Sequence, residues 1–383
     1  MSWGGFLDGL DRRTGWRESR DRVVADATRP QPPNVGWGAT LGVMALTVLG
    51  MECVSGIVLA FHYRATPEAA HASVAQIRDS VPLGWLWLSV HAWGTHALVG
   101  LALLHAAKVF ISGGHKRPRE LTWVAGALAL FVVLGFSVTG HLLPWTNEAC
   151  WGTAVRLGHT EEAPLVGGLV ARLLRGGDEI GASTLTRFYA LHVVVLPALL
   201  ALLLWMHLRL VRRLGLAPAV RTDEEQEKGH TACSEGGAPW IPHLALRAAA
   251  AATVTAGVLI TVSALFPAGP APKAGGATPD GLRPEWFFLA LFQYLKYWPG
   301  RVLGMPGETV GQILPILAVV AFALLPFLDR SPERRPANRK RALAIFAAGV
   351  LVWSALTFLG AVSDNRERVF GREWKLDTYG RPK

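Results

Sequence analysis

Charge is scarce in this chain of 383 residues: Asp, Glu, Lys and Arg make up 17%, against 51% hydrophobic residues. A soluble domain of this length carries about 25% charged residues, so a water-facing globular protein is a poor fit. Cysteine is scarcer still. Cys53, Cys150 and Cys233 are the three, with no metal-ligand spacing and no C-x-x-C-H motif, so neither a cysteine zinc site nor a thioether-attached cofactor is encoded. Cys53 and Cys150 fall in or beside apolar segments and read as structural thiols. A secretory leader is also missing: the first 35 residues hold six arginines and lack a continuous apolar core, so no cleavable signal peptide is expected. The stretch MSWGGFLDGLDRR fits either a short amphipathic helix in the membrane interface or a plain solvated tail. There is no internal repeat.

Long apolar runs are what the chain does have. Seven windows, near 37–62, 84–111, 121–143, 188–211, 245–266, 309–328 and 342–361, approach or exceed the ~20 apolar residues that cross ~30 Å of hydrocarbon. The expected fold is an all-α polytopic membrane protein. Residues 1–35 form an N-terminal segment and 36–215 a four-helix unit; 216–243 is a linker, 244–362 a three-helix unit and 363–383 a tail. The net charge of +10 points to no nucleic acid, because the basic residues gather in the loops 113–120, 209–215 and 329–341. With seven spans these loops share a side with the N-terminus, which the positive-inside rule makes cytoplasmic. The Ala-, Gly- and Arg-rich composition suggests a bacterial cell (inner) membrane.

Ionisable side chains are costly in hydrocarbon and are functional-site hypotheses by default. The second span, containing SVHAWGTHALVGLALLH (89–105), carries His91 and His105; the fourth carries His192 and His207. At ~100° per residue, a separation of fourteen falls about 40° short of four turns and one of fifteen overshoots by about 60°. Each pair therefore shares a helix face, with about 21–22 Å between its members. The two spans run parallel, so His91 meets His192 near the outer face and His105 meets His207 near the inner face. Such stacked imidazole pairs are ligands for two haem irons with both axial positions filled, sites that carry electrons and leave no position open for oxygen. Gly42 and Gly56 in the first span, and Gly126 and Gly140 in the third, repeat the fourteen-residue spacing and allow close approach. Buried structural or proton-carrying histidines are the alternative for any one imidazole. His62, His96, His141 and His159 are assigned to packing, interfaces or loops.

The stretches GGHKRPRELTWVAG, GFSVTGHLLPW, STLTRFYALH and RPEWFFLALFQYLKYWPGRVLG resemble cytochrome b of the quinol:cytochrome c (or plastocyanin) oxidoreductase family over residues ~30 to ~362. The fifteen-residue gap and the seven-span plan are similar to the chloroplast and cyanobacterial branch, with its two polypeptides, cytochrome b6 and a subunit-IV-like unit, fused into one. The resemblance implies two non-covalent b-type haems, quinone and quinol as substrate, a Rieske-type iron–sulfur partner, a cytochrome c-type subunit or carrier, and a homodimeric complex in a lipid membrane. It also implies residue roles. Pro284, Glu285, Trp286 and Phe287 match the outer quinol-site motif, with Glu285 as the proton acceptor. Residues 144–154, with Trp151, match the short helix that walls that site. Arg212 matches a basic residue able to pair with an inner haem propionate.

The chain departs from the family pattern at four places. Phe287 stands for the usual Tyr, Leu88 for a propionate-pairing Arg, Glu52 for Gln, and Thr40 for the Cys that anchors a third haem in the chloroplast branch. Two other functions fit parts of the sequence: a dihaem anchor wiring the quinone pool to a different dehydrogenase or reductase, and a haem-free transporter. A mere wire gives no reason for a carboxylate in the 284–287 loop, and a transporter gives none for in-phase histidines.

Overall fold

The computed structural model describes residues 3–28, 36–217, 220, 240–269, 271–298, 300–302, 304–363, 366–369, 372–375, 377 and 381. Most of the sequence-defined linker, with Cys233, lies outside these residues. Helices α1 (Trp3–Thr14) and α2 (Trp16–Thr28) lead to α3 (Leu41–Ala60), α4 (Ala70–Ser80), α5 (Gly84–Ile111) and α6 (Glu120–Leu142). The short helices α7 (Asn147–Glu161) and α8 (Gly167–Arg175) precede α9 (Ala182–Leu214). The C-terminal part comprises α10 (Ala245–Leu265), α11 (Trp286–Leu295), α12 (Gly307–Ala323), α13 (Leu325–Leu328) and α14 (Lys340–Val362). Strand structure among the described residues is confined to two small antiparallel hairpins, Arg301–Val302 with Met305–Pro306 and Arg366–Val369 with Arg372–Lys375.

Among the described residues six helices are long and apolar enough to cross a membrane. The expected span at 309–328 is divided. Its main helix α12 has 17 residues, about 25 Å at ~1.5 Å per residue, and stops at Leu324, where φ −91° and ψ 9° leave the helical region. Pro326 opens the next turn, α13; proline restricts the residue before it and cannot donate to an ongoing helix. The large side chains left on the surface, among them Ile345, Leu351 and Phe358 of α14, are 75%, 70% and 65% exposed. In hydrocarbon such exposure carries no penalty.

The four-helix unit is two packed pairs, α3 on α5 and α6 on α9, while α10 lies against α3 and α5. Its centre is an apolar layer of Val48, Leu98, Val99, Val132, Val133, Leu200 and Leu203. One residue of this layer lies near the midpoint of each fourteen- or fifteen-residue interval, which separates an upper polar level from a lower one. The rims tie the two halves of the chain together. On one rim, at the C-terminal end of α6, Thr146 bridges Lys273, Asn147 N donates to the Pro272 carbonyl at 2.8 Å, and Trp151 Nε1 donates to the Gly276 carbonyl at 3.2 Å. On the opposite rim Asp329 accepts from Lys116 Nζ at 2.6 Å and from Arg339 at 3.1 Å, with His115 Nε2 at 3.3 Å. Burial, reinforced by Arg339, pushes the His115 imidazole down to about 4, so this fully buried ring is neutral at pH 7.

Candidate functional site

Both histidine pairs meet as the spacing predicts. The rings of His91 and His192 have centroids 6.1 Å apart at 74°, and those of His105 and His207 6.5 Å apart at 74°. These separations leave room for one metal ion with a nitrogen at about 2 Å on either side, a usual metal–imidazole distance. The fifteen-residue interval in α9 is brought into phase by a π turn, Leu191–Val195, that starts beside His192. Pro197, at the second position of the following α-helical segment, has no N–H for the carbonyl four residues back. The ladder there widens instead, a change that absorbs one extra residue.

The four glycines each face one imidazole. A Cβ would stand 3.2 Å from His91 Cε1 at Gly56 and 2.6 Å from His192 Cε1 at Gly140. At the lower level it would stand 3.4 Å from His105 Cε1 at Gly42 and 3.1 Å from His207 Cε1 at Gly126. The outer nitrogens are held by protein. His207 Nδ1 lies 2.9 Å from the Thr122 carbonyl; a carbonyl only accepts, so Nδ1 carries the proton and Nε2 is the bare nitrogen a metal requires. His192 Nδ1 lies 3.1 Å from Thr139 Oγ1, and His91 Nδ1 3.1 Å from Ser55 Oγ and 3.0 Å from Glu52 Oε2. His105 Nδ1 is buried with no partner among the described residues. The donor set, the ring gaps and the glycine cradles fit haem. Arg212 is exposed in the last turn of α9.

A second cluster lies above the upper level, where α6 ends and α11 begins. Glu285 Oε1 is 2.9 Å from His141 Nδ1, and Oε2 accepts from Arg156 at 2.8 Å. Burial pushes this carboxyl up, but the His141 hydrogen bond and the Arg156 guanidinium outweigh it and hold it at about 2. Phe287 is buried against His96, Trp286 and Phe288, and Trp286 packs on Trp353. Trp151 is on the same α7 as Arg156 and stays 38% exposed. The sequence reading passed over Arg156 and assigned His141 to packing or a loop; in the fold both bond to Glu285. The available signal was a histidine in the last turn of an apolar span. His96 does pack, on Phe287 and Trp93. His159 gives its carbonyl to Gln312 at 2.6 Å, and His62 is exposed.

The fold and these two levels define a polytopic helical membrane protein with stacked imidazole pairs and, above them, a carboxylate held by His141 and Arg156. The family model for cytochrome b/b6/petB matches residues 26–215 and that for cytochrome b (C-terminal)/b6/petD matches 273–374. The chain is 34% identical over 324 residues to the cytochrome bc complex cytochrome b subunit of Chlorobaculum thiosulfatiphilum, covering 82% of this chain and 71% of that protein. It is also 39% identical over 206 residues to cytochrome b6 of Gracilaria tenuistipitata var. liui, covering 53% of this chain and 96% of that protein. A solved structure, a hyperthermophilic respiratory Complex III, superposes with a TM-score of 0.79 at 27% identity, over 92% of this chain and 91% of that one. The chain belongs to the cytochrome b family. It is a haem b-binding, electron-transfer subunit of a quinol-oxidising bc-type complex, with the b6-like and petD-like units joined in one polypeptide.

Proposed function

We propose that the chain holds two non-covalent b haems and oxidises quinol at the Glu285 cluster. His91 and His192 hold the outer haem, and His105 and His207 the inner one. The observation that carries this reading is the pair of facing imidazoles at two levels, 6.1 and 6.5 Å apart. When bound, each haem would supply a one-electron carrier, held by the two imidazoles of its level. Glycines 42, 56, 126 and 140 keep the rings close to the backbone, and the Thr122 carbonyl fixes the His207 tautomer. Arg212 pairs with an inner propionate.

Quinol sits between α7 and α11, with Pro284, Trp286, Phe287 and Trp151 excluding water. Glu285 acts with His141 as the proton acceptor for the quinol hydroxyl. Arg156 stores the carboxylate in its ionised form between turnovers, and Glu285 must leave Arg156 to take the proton. The partners are a Rieske-type iron–sulfur subunit and a cytochrome c-type carrier, in a homodimeric complex of the bacterial inner membrane with the N-terminus cytoplasmic. The chain divides into units at 36–215 and 244–362. Haem extraction of the purified chain tests the count: two haems per polypeptide are expected, and one or none overturns the reading.

A further inference from the structure

In the middle of α3 an acidic side chain points into the bundle. Glu52 is 11% exposed at its side chain, its Oε2 lies 3.0 Å from His91 Nδ1, and its Oε1 is buried without a hydrogen-bond partner among the described residues. A carboxyl group at this depth is costly and calls for a functional account. The space for it comes from Gly94, three residues beyond His91 on α5, where a Cβ would collide with Glu52 Oε1. Ser55 flanks the same nitrogen at 3.1 Å, while its own hydroxyl donates to the Met51 carbonyl at 2.8 Å. Glycine, serine and glutamate thus build a carboxyl pocket beside a single ring nitrogen.

The other three imidazoles have nothing comparable. His192 Nδ1 meets a hydroxyl and His207 Nδ1 a carbonyl, and His105 Nδ1 has no partner among the described residues. A carboxylate on the far nitrogen of a metal-bound histidine fixes the tautomer and raises ligand basicity. We propose that Glu52 is the positioning residue of His91: it accepts the Nδ1–H, directs Nε2 to the outer haem iron and, by making that imidazole the stronger donor, lowers the outer haem's potential. The inference rests on the reading of His91 as a haem ligand.

The test is a potentiometric titration of the haem absorption bands in the purified complex, with the outer haem identified by its persistence in His207→Leu. In Glu52→Gln the oxidised-to-reduced ratio of the outer haem at fixed potential should fall about tenfold, an upward shift of ~59 mV for a one-electron couple, with the inner haem unmoved. Glu52→Asp, which keeps the carboxyl, should recover part of the shift. An outer haem unmoved in Glu52→Gln overturns the proposal. If that variant does not assemble, the unaltered complex decides: the near-infrared charge-transfer band of the ferric outer haem should lie at shorter wavelength than that of the inner haem, and coincident bands overturn the proposal. His91→Leu separates the two readings. Retention of both haems in that variant refutes His91 as a ligand, whereas loss of the outer haem together with an unmoved Glu52→Gln refutes the carboxyl's role alone.

Discussion

Arg156→Gln is the most informative single change at the Glu285 cluster, because it alters the proposed base without touching that residue itself. Glu285 has an ordinary carboxyl value of 4.5 and is held at about 2. That gap corresponds to about 3 kcal/mol at ~1.36 kcal/mol for each factor of ten. Two partners supply it against the opposing effect of burial: His141 at 2.9 Å and Arg156 at 2.8 Å. Both side chains of the Arg156–Glu285 pair are mostly shielded, at 17% and 15% exposure, so solvent screens the interaction weakly. Removing the guanidinium leaves burial opposed by His141 alone, and the carboxyl returns toward 4.5.

The sign follows from the charge state a base requires. In the native protein Glu285 stays ionised at every pH the complex survives, and kcat/KM for quinol should show no acid limb from this group. In Arg156→Gln the carboxyl rises from about 2, so it takes up a proton at higher pH than in the native protein, and kcat/KM should drop toward low pH, approaching tenfold per unit once the group is mostly protonated. The glutamine amide still donates a hydrogen bond, which limits the cost of the lost buried partner, otherwise ~3–5 kcal/mol. The assay is steady-state quinol oxidation by the intact complex between pH 4 and 8, with haem content measured at each pH. An acid limb identical in the two proteins, with haem retained, refutes Glu285 as the base.

Glu285→Gln should keep its haems and slow quinol oxidation near the low end of the ~10²–10⁴-fold range for a positioned base, since water and His141 remain; unchanged turnover in the assembled complex removes Glu285 from the chemistry. His207→Leu should lose the inner haem and keep the outer one, because an apolar layer and about 21 Å of helix lie between the levels; haem quantitation reads it, and joint loss in a folded protein counts against the pairing. Haem staining of a denaturing gel should leave this chain blank: Thr40 donates its hydroxyl to the Trp37 carbonyl at 2.7 Å and offers no thiol for a thioether. Asp329→Asn should lower stability by about 3 kcal/mol, since it leaves Lys116 and Arg339, 4% and 3% exposed, without their carboxylate; a thermal unfolding midpoint equal to the native one would discount the Asp329 network.

The two histidine levels were legible because helix periodicity is a one-dimensional property: fourteen residues return a side chain to nearly the same face whatever surrounds the helix. The same arithmetic placed His192 about 60° out of phase with His207. The fold removes that error through a π turn whose cause, Pro197, was in plain view but is read from hydrogen-bond bookkeeping rather than from hydropathy. The divided helix at Leu324 has a similar origin, since an apolar window counts residues and ignores that Pro326 ends a ladder.

The Glu285 cluster was half legible for a different reason. Its carboxylate sits in a recognisable local stretch, but its partners come from the end of α6 and from α7, 144 and 129 positions earlier in the chain. No spacing rule connects them; contacts between distant parts of the chain, among them the pairing of residues 145–147 with 272–274 and Gln312 on the His159 carbonyl, bring them together. Electrostatics then changes the chemical reading. A carboxylate in an apolar cavity is a strong base with a raised value, whereas one locked to Arg156 and His141 is a weak base held ready. In the proposed mechanism, proton uptake at this site therefore depends on how the Arg156–Glu285 contact opens when quinol enters. Shortening the side chain by Arg156→Lys keeps the charge but loosens the contact, and quinol oxidation near pH 7 should rise or hold; a loss as deep as that of Glu285→Gln would show that Arg156 serves the reaction directly rather than by storing the base.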